Sequence, residues 1–222
     1  MRIKNLLLSG AMALATISMT TAAHADQVFI GMSQSAGLGT ILPVASGTGG
    51  AIYAGSFNNF AINIVSAVGT PPLPEPTLDS NSINVNAVNP GSQTLYVYIT
   101  EQGLTALAGI NQLLSGFTSN LFTGAVQSVD EFTYVSPSNQ LWTGDLLASR
   151  TFTSAPASAS IVGTTPFLSG PFSETVEYII HMSGPGAVND TINISTVPEP
   201  TTMALLGTAL VGFGFMRRRK SA

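Results

Sequence analysis

Between Asp26 and Val197 this chain holds a single histidine, His181. Glu177 lies four residues before it, on the same face of any strand through both. That pairing reads as a satisfied surface histidine. A Ser-His-Asp triad would need a positioned serine, and no G-x-S-x-G occurs. A Ser-Lys dyad is excluded between these bounds, which contain no lysine, and H-E-x-x-H is absent. Gly47-Thr48-Gly49-Gly50 lacks the Lys-Ser/Thr of a phosphate loop and reads as a flexible loop. Carboxylates could still hydrolyse glycosides in pairs. The candidates are Asp130 with Glu131, Asp145, and Glu174 with Glu177. On a strand, Asp130 and Glu131 point to opposite faces, as do Glu174 and Glu177. These acids therefore read as a solvated surface, with a weak Ca²⁺ site from Asp130 or Asp145 as the one metal option. No D-x-D-x-D-G loop supports that option, so no metal and no cofactor is expected.

Aromatic side chains offer a different chemistry, the stacking of a ring on a sugar face. Trp142 sits in Ser138-Asn139-Gln140-Leu141-Trp142-Thr143-Gly144, a polar loop-like setting, while Tyr96 and Tyr98 share one strand face. Trp142 is the candidate sugar contact; the alternative places it as a core residue at the edge of the fold.

Strands must position these groups. Gln27 to Met32 is a short apolar opener, and Gly37 to Gly50 reads as a loop. Phe60, Ile62 and Ile64 fall on one face at period two, as do Ile83, Val85 and Ala87. Leu95 to Thr100 carries aliphatics on one face and tyrosines on the other. Asn89-Pro90-Gly91-Ser92 predicts a hairpin between those last two segments. Leu104 to Leu114 fits helical spacing, weakened by Gly109. Val126 to Val135 and Asp145 to Phe152 read as strands, and Ser154 to Ser160 as a loop. Val176, Tyr178, Ile180 and Met182 face inward, Gly184-Pro185-Gly186 turns, and Ile192 and Ile194 close the fold. The expectation is all-β: an antiparallel β-sandwich of about seven or more strands with at most one short helix. Pro71 to Pro76 is a polyproline-like connector inside the strand pattern, so it reads as a long loop rather than a domain boundary. No internal repeat is evident, which disfavours a propeller or solenoid.

Charge divides the chain sharply. Residues 26–197 hold one base, Arg150, against ten acids, a net charge near −9; the other six bases sit at the two ends. An acidic body of this kind repels nucleic acid. There is no cysteine, so disulfide frameworks and thiolate metal sites are excluded.

Both ends read as addresses. Arg2 and Lys4 precede the apolar run Leu6 to Ile17, and Ala23-His24-Ala25 presents small residues for a signal peptidase, with cleavage before Asp26. At the other end come Val197-Pro198-Glu199-Pro200, an uncharged segment from Thr202 to Met216, then Arg217-Arg218-Arg219-Lys220. The prolines bar this break from a helix interior or a sheet ladder. Fifteen helical residues span roughly 22 Å, short of a hydrocarbon core of about 30 Å, and the bases stay on the cytoplasmic side. Residues 1–25 thus read as a signal peptide, 26–196 as an exported domain and 197–222 as a sorting segment with a transmembrane helix and a basic stop.

The order of acidic-proline break, greasy segment and basic plug, over residues 197–220, resembles a PEP-CTERM sorting signal. The tripeptide alone is weak, since Pro74-Glu75-Pro76 repeats it with neither other part behind it. The resemblance implies an exported protein of a Gram-negative bacterium, often one that makes extracellular polysaccharide. It implies an exosortase-type membrane enzyme as processing partner, beside signal peptidase and the inner membrane during transit, and delivery to the cell envelope, cell surface or exterior. Together the ends and the body predict a non-catalytic structural or exopolysaccharide-associated matrix protein. The alternatives are a carbohydrate-binding module and, more remotely, a carboxylate-based glycosidase.

Overall fold

The structure, a computed structural model, describes residues 26–74, 76–105, 112–165, 168 and 170–197. The leader, the greasy segment Thr202 to Met216 and the basic stop lie outside the described residues, as do residues 106–111 of the helical-spacing segment. Among the described residues there is no α-helix, and no helix is long and apolar enough to cross a membrane. Leu104 ends a strand and Gln112 begins the next, so both flanks of the expected helix are strand.

Ten strands make the body: β1 (Gln27–Ser33), β2 (Leu42–Thr48), β3 (Gly50–Phe57), β4 (Phe60–Val68), β5 (Leu78–Ala87), β6 (Gln93–Leu104), β7 (Gln112–Ser136), β8 (Asp145–Phe152), β9 (Ala157–Thr164) and β10 (Phe172–Thr196). Every pairing is antiparallel. Two 25-residue strands, β7 and β10, pair along nearly their whole length and carry the rest. The first part of β10 pairs β6 on one side and the second part of β7 on the other, giving the layer β2-β1-β6-β10-β7-β8. The second part of β10 pairs β5 and the first part of β7, giving β3-β4-β5-β10-β7-β9.

These two layers face each other. Ser115 and Thr133, eighteen residues apart on the same strand, share a hydrogen bond of 2.7 Å across the interior. The Tyr178 phenol on the first layer meets the Ser80 hydroxyl on the second. One apolar cluster fills the space between, with Val28, Ile30, Leu95, Val97, Val176 and Ile180 from one layer and Leu78, Ile83, Val85, Phe117, Ile192 and Ile194 from the other. Period-two alternation supplies both sets.

The bend lies where a turn was expected. Gly184-Pro185-Gly186 sits inside β10, at a break in its register between Met182 and Gly186. Proline fits there because a bulge frees it from the ladder. Its neighbour β7 bends at Gly124, with φ +64; a Cβ there would stand 2.4 Å from the Pro185 carbonyl oxygen, and only glycine fits.

Four other expectations are corrected. Gly37 to Gly50 is not one loop: after a 3₁₀ turn at Leu38–Thr40 it forms β2 and leads straight into β3. Ala157 to Ser160 begins β9. Asn89-Pro90-Gly91-Ser92 does not close a hairpin, because β10 stands between β5 and β6, and the turn carries the chain from one layer to the other. In β4 a register shift between Ile62 and Ile64 turns the strand, so Val65 and Ala67 are buried in place of Ile64.

Candidate functional site

On the outer face of the first layer, successive rows can be read from the register. Tyr98, Glu177 and Phe132 lie abreast on β6, β10 and β7; Tyr96, Ile179 and Asp130 form the next row; Thr100, Thr175 and Tyr134 the row on the other side. Alternation forces this set together, because the aliphatic partners on the same three strands face the core.

Glu177 is the centre. The Tyr134 phenol donates to its Oε2 at 2.8 Å, and the Tyr98 phenol bonds the same carboxylate from the opposite side. Burial, then the bond and charge of Glu177, raise the Tyr98 phenol well above its ordinary range. Burial and the Glu177 charge do the same to Tyr134. Both phenols therefore stay neutral donors. Phe132 stacks against Tyr134 with centroids 6.2 Å apart.

The loop 137–144 folds over one side of this face. Its anchors are hydrogen bonds from the Ser173 hydroxyl to the Gln140 carbonyl at 2.6 Å, from the Gly103 N–H to Asn139 Oδ1 at 2.9 Å and from the Trp142 N–H to Thr100 Oγ1 at 3.2 Å. Asn139 and Trp142 both hold left-handed backbone, with φ 55 and 63. The loop places the Trp142 indole edge-on to Tyr98 at 6.2 Å and directly over Gly31. A Cβ on Gly31 would stand 2.6 Å from Ile41 Cγ2 and 3.0 Å from the indole, so a side chain here would collide with Ile41 and crowd the ring. Trp142 is half-buried: neither a core residue nor a free-standing platform, but the wall of an aromatic face.

The far side carries a polar relay across four strands. Thr94 meets His181 Nδ1 at 3.3 Å, His181 Nε2 meets Asp130 Oδ2 at 3.1 Å, and Thr151 donates to Asp130 at 2.6 Å. His181 is thus a surface histidine held by Asp130 rather than by Glu177. Asp145, at the start of β8, sits five pairs along the ladder from Asp130. Among the described residues no group of three His, Asp or Glu could hold a metal ion.

The remaining acids correct the expectation of a solvated surface. Asp130 and Glu131 do point apart, as do Glu174 and Glu177, but Glu131 and Glu174 point into the core with no exposed surface. Glu101 and Asp190 join them. Glu174 lies directly across from Glu101. Burial, then the Glu101 charge, pushes its carboxyl well up. Burial with the Asp190 charge raises Glu131 to about 9. Burial raises Asp190 to about 7 against the pull of Ser119 and the Asn120 N–H. Position parity announces all four: Glu174 keeps step with Val176 and Tyr178, and Glu131 with Val129 and Val135. Phe132 and Tyr134, unremarked in sequence, follow from the same parity as the outward partners of Glu131.

Residues 196–220 match the family model for the PEP-CTERM protein-sorting motif. The tail is such a motif, and it implies export to the envelope or surface and handling by exosortase-type machinery. No curated protein matches the chain. Among solved structures, TmCBM61 in complex with β-1,4-galactotriose shares 12% identity, covering 67% of this chain and 88% of its own at a TM-score of 0.33. The mannan-recognising module TmCBM27 shares 10%, covering 66% and 96% at 0.32. The K3 adhesin domain of Lys-gingipain from Porphyromonas gingivalis shares 15%, covering 51% and 72% at 0.31. Likenesses at these TM-scores carry no inference about ligand or activity.

Proposed function

We propose that this chain is an exported, non-catalytic matrix protein whose β-sandwich binds neutral polysaccharide through the outer face of its first layer. The sorting tail supports delivery to the surface, where such polymers lie. One observation carries the binding reading: Tyr96, Phe132, Tyr134 and Trp142, each partly exposed, gather on one face around a hydrogen-bonded Glu177 and Tyr98 that lie buried beneath them. Aromatic rings cover the apolar C–H faces of sugar rings, and the partly exposed Asp130 carboxylate can accept their hydroxyls in charge-assisted bonds. The rings stand on paired strands and a pinned loop, so little ordering is left to be done on binding. The charged groups of the face are Glu177 and Asp130, with His181 beside them; a uronic-acid polymer would meet like charge.

Affinity electrophoresis of the mature protein through gels containing neutral β-glucan, galactomannan or alginate tests this. Retardation by a neutral polymer, reduced in Trp142→Ala, is the expected result. Equal mobility in every gel sinks the reading. The diagonal placement of Asp130 and Glu177 on adjacent strands keeps carboxylate catalysis as a second reading; release of reducing ends by the wild type, abolished in both Asp130→Asn and Glu177→Gln, would favour it.

A further inference from the structure

Among the described residues each layer ends in two edge strands unpaired on their outer side, and such edges invite pairing with another chain unless something blunts them. Three of the four edges here are blunted. Strand β2 contains Pro43 and is bulged where Ile30 and Gly31 pair it. Strand β3 is broken between Tyr53 and Gly55. Strand β8 carries Asp145 and Arg150 and loses register opposite Thr133 and Tyr134.

Strand β9 has none of these devices. Its eight residues, Ala157 to Thr164, pair β7 without a register break from Ser119 to Gln112. They contain no charge and no proline, and among the described residues no strand pairs its other side. The neutrality extends well beyond the strand: residues 151–173 contain no Asp, Glu, Lys or Arg, in a body of net charge near −9. Two copies approaching by any acidic surface repel each other over the screening distance of about 8–10 Å. Approach by β9 avoids that cost.

We infer that β9 is a self-association edge, through which a second copy of this chain joins antiparallel, β9 against β9. Such a contact is self-complementary about a two-fold axis. With the axis at Ser160, which meets its own copy, exposed Ser158 meets exposed Val162 and inward Ala159 meets inward Ile161, so small and β-branched side chains oppose one another without a clash of charge. The second layer then runs unbroken from one molecule into the next by main-chain hydrogen bonds, the strand-addition mode of recognition. The contact lies on the opposite layer from the aromatic face and does not depend on that face binding sugar. A matrix component built this way presents two binding faces per dimer.

Sedimentation of the full chain in mild detergent, over a wide concentration range, reads the association. A concentration-dependent dimer is expected, lost in Ser160→Lys and Val162→Lys, both at exposed side chains, and retained in Ser149→Lys on the charged edge β8. Circular dichroism establishes that each variant is folded. The absence of cysteine supplies an independent readout: Ser160→Cys should yield a disulfide-linked dimer under mild oxidation, and Ser149→Cys should not. A chain that stays monomeric throughout overturns the inference. So does a dimer that survives both lysines, or cross-linking equal at positions 149 and 160.

Discussion

The Tyr134 phenol reaches across from β7 to donate a hydrogen bond of 2.8 Å to Glu177 on β10, while Tyr98 bonds the same carboxylate from β6. Three neighbouring strands thus converge on one acid. Glu177 is only 8% exposed and acts by holding the tyrosines in place, so Glu177→Gln should weaken binding to the preferred neutral polymer by roughly tenfold, about 1.4 kcal/mol, with little change in Tm. Isothermal titration with the mature protein measures it. An unchanged Kd would assign the acid to packing alone.

Gly31→Ala tests the wall without removing a ring. The added methyl would stand 2.6 Å from Ile41 Cγ2 and 3.0 Å from the Trp142 indole, so Ile41 must move and the ring must give by a few tenths of an ångström. Overpacking of this kind costs about 1–3 kcal/mol. Chemical denaturation should show that loss, and polysaccharide binding should fall together with a change in Trp142 fluorescence. Normal emission would mean that the indole does not rest on Gly31.

The interior acids make stability depend on pH in an uncommon direction. Glu131 titrates at about 9 folded, above the ordinary carboxylate range, and Asp190 at about 7. A raised acid holds its proton more tightly in the folded state. Its stabilising effect is fully present below the unfolded pKa and is lost as pH rises toward the folded one. For Glu131 the window runs from about 4.5 to about 9, at about 1.4 kcal/mol per pH unit for one group. Urea midpoints should therefore fall between about pH 5 and pH 8, and Glu131→Gln should flatten the slope. A midpoint that rises over that range would contradict the burial of these carboxyls.

The contact between Tyr178 and Ser80 is, with Ser115 to Thr133, one of the hydrogen bonds that tie the two layers through their core. Tyr178→Phe keeps the ring and removes the hydroxyl, so a loss of about 1–2 kcal/mol is expected in denaturation. A neutral outcome would mean that this hydrogen bond does not help hold the layers together.

Much of the fold was legible because alternation marks a half-buried strand. The inward sets on β5, β6 and β10 were readable from Ile83, Leu95 and Val176 onward. What alternation cannot give is partner choice. The turn at Asn89-Pro90 has the residues of a hairpin, yet the length of β10 lets it take β5 and β6 as partners at different points along itself. Bulges were equally hidden, since nothing near Ile62 announces that Val65 will replace Ile64. The site was half-legible. Trp142 and Tyr96 with Tyr98 stood out by type, but their grouping with Phe132, Tyr134 and Glu177 depends on which strands lie abreast. The buried acids were misread by residue type, although parity placed them inside.

The most direct test of sugar recognition by the aromatic face is the affinity of the mature protein for neutral polysaccharide, measured by titration beside a Tyr96→Ala/Trp142→Ala variant shown to be folded. Saturable binding by the wild type, lost in the variant and absent toward alginate, is the predicted result. Wild-type binding that the double substitution leaves intact would contradict it.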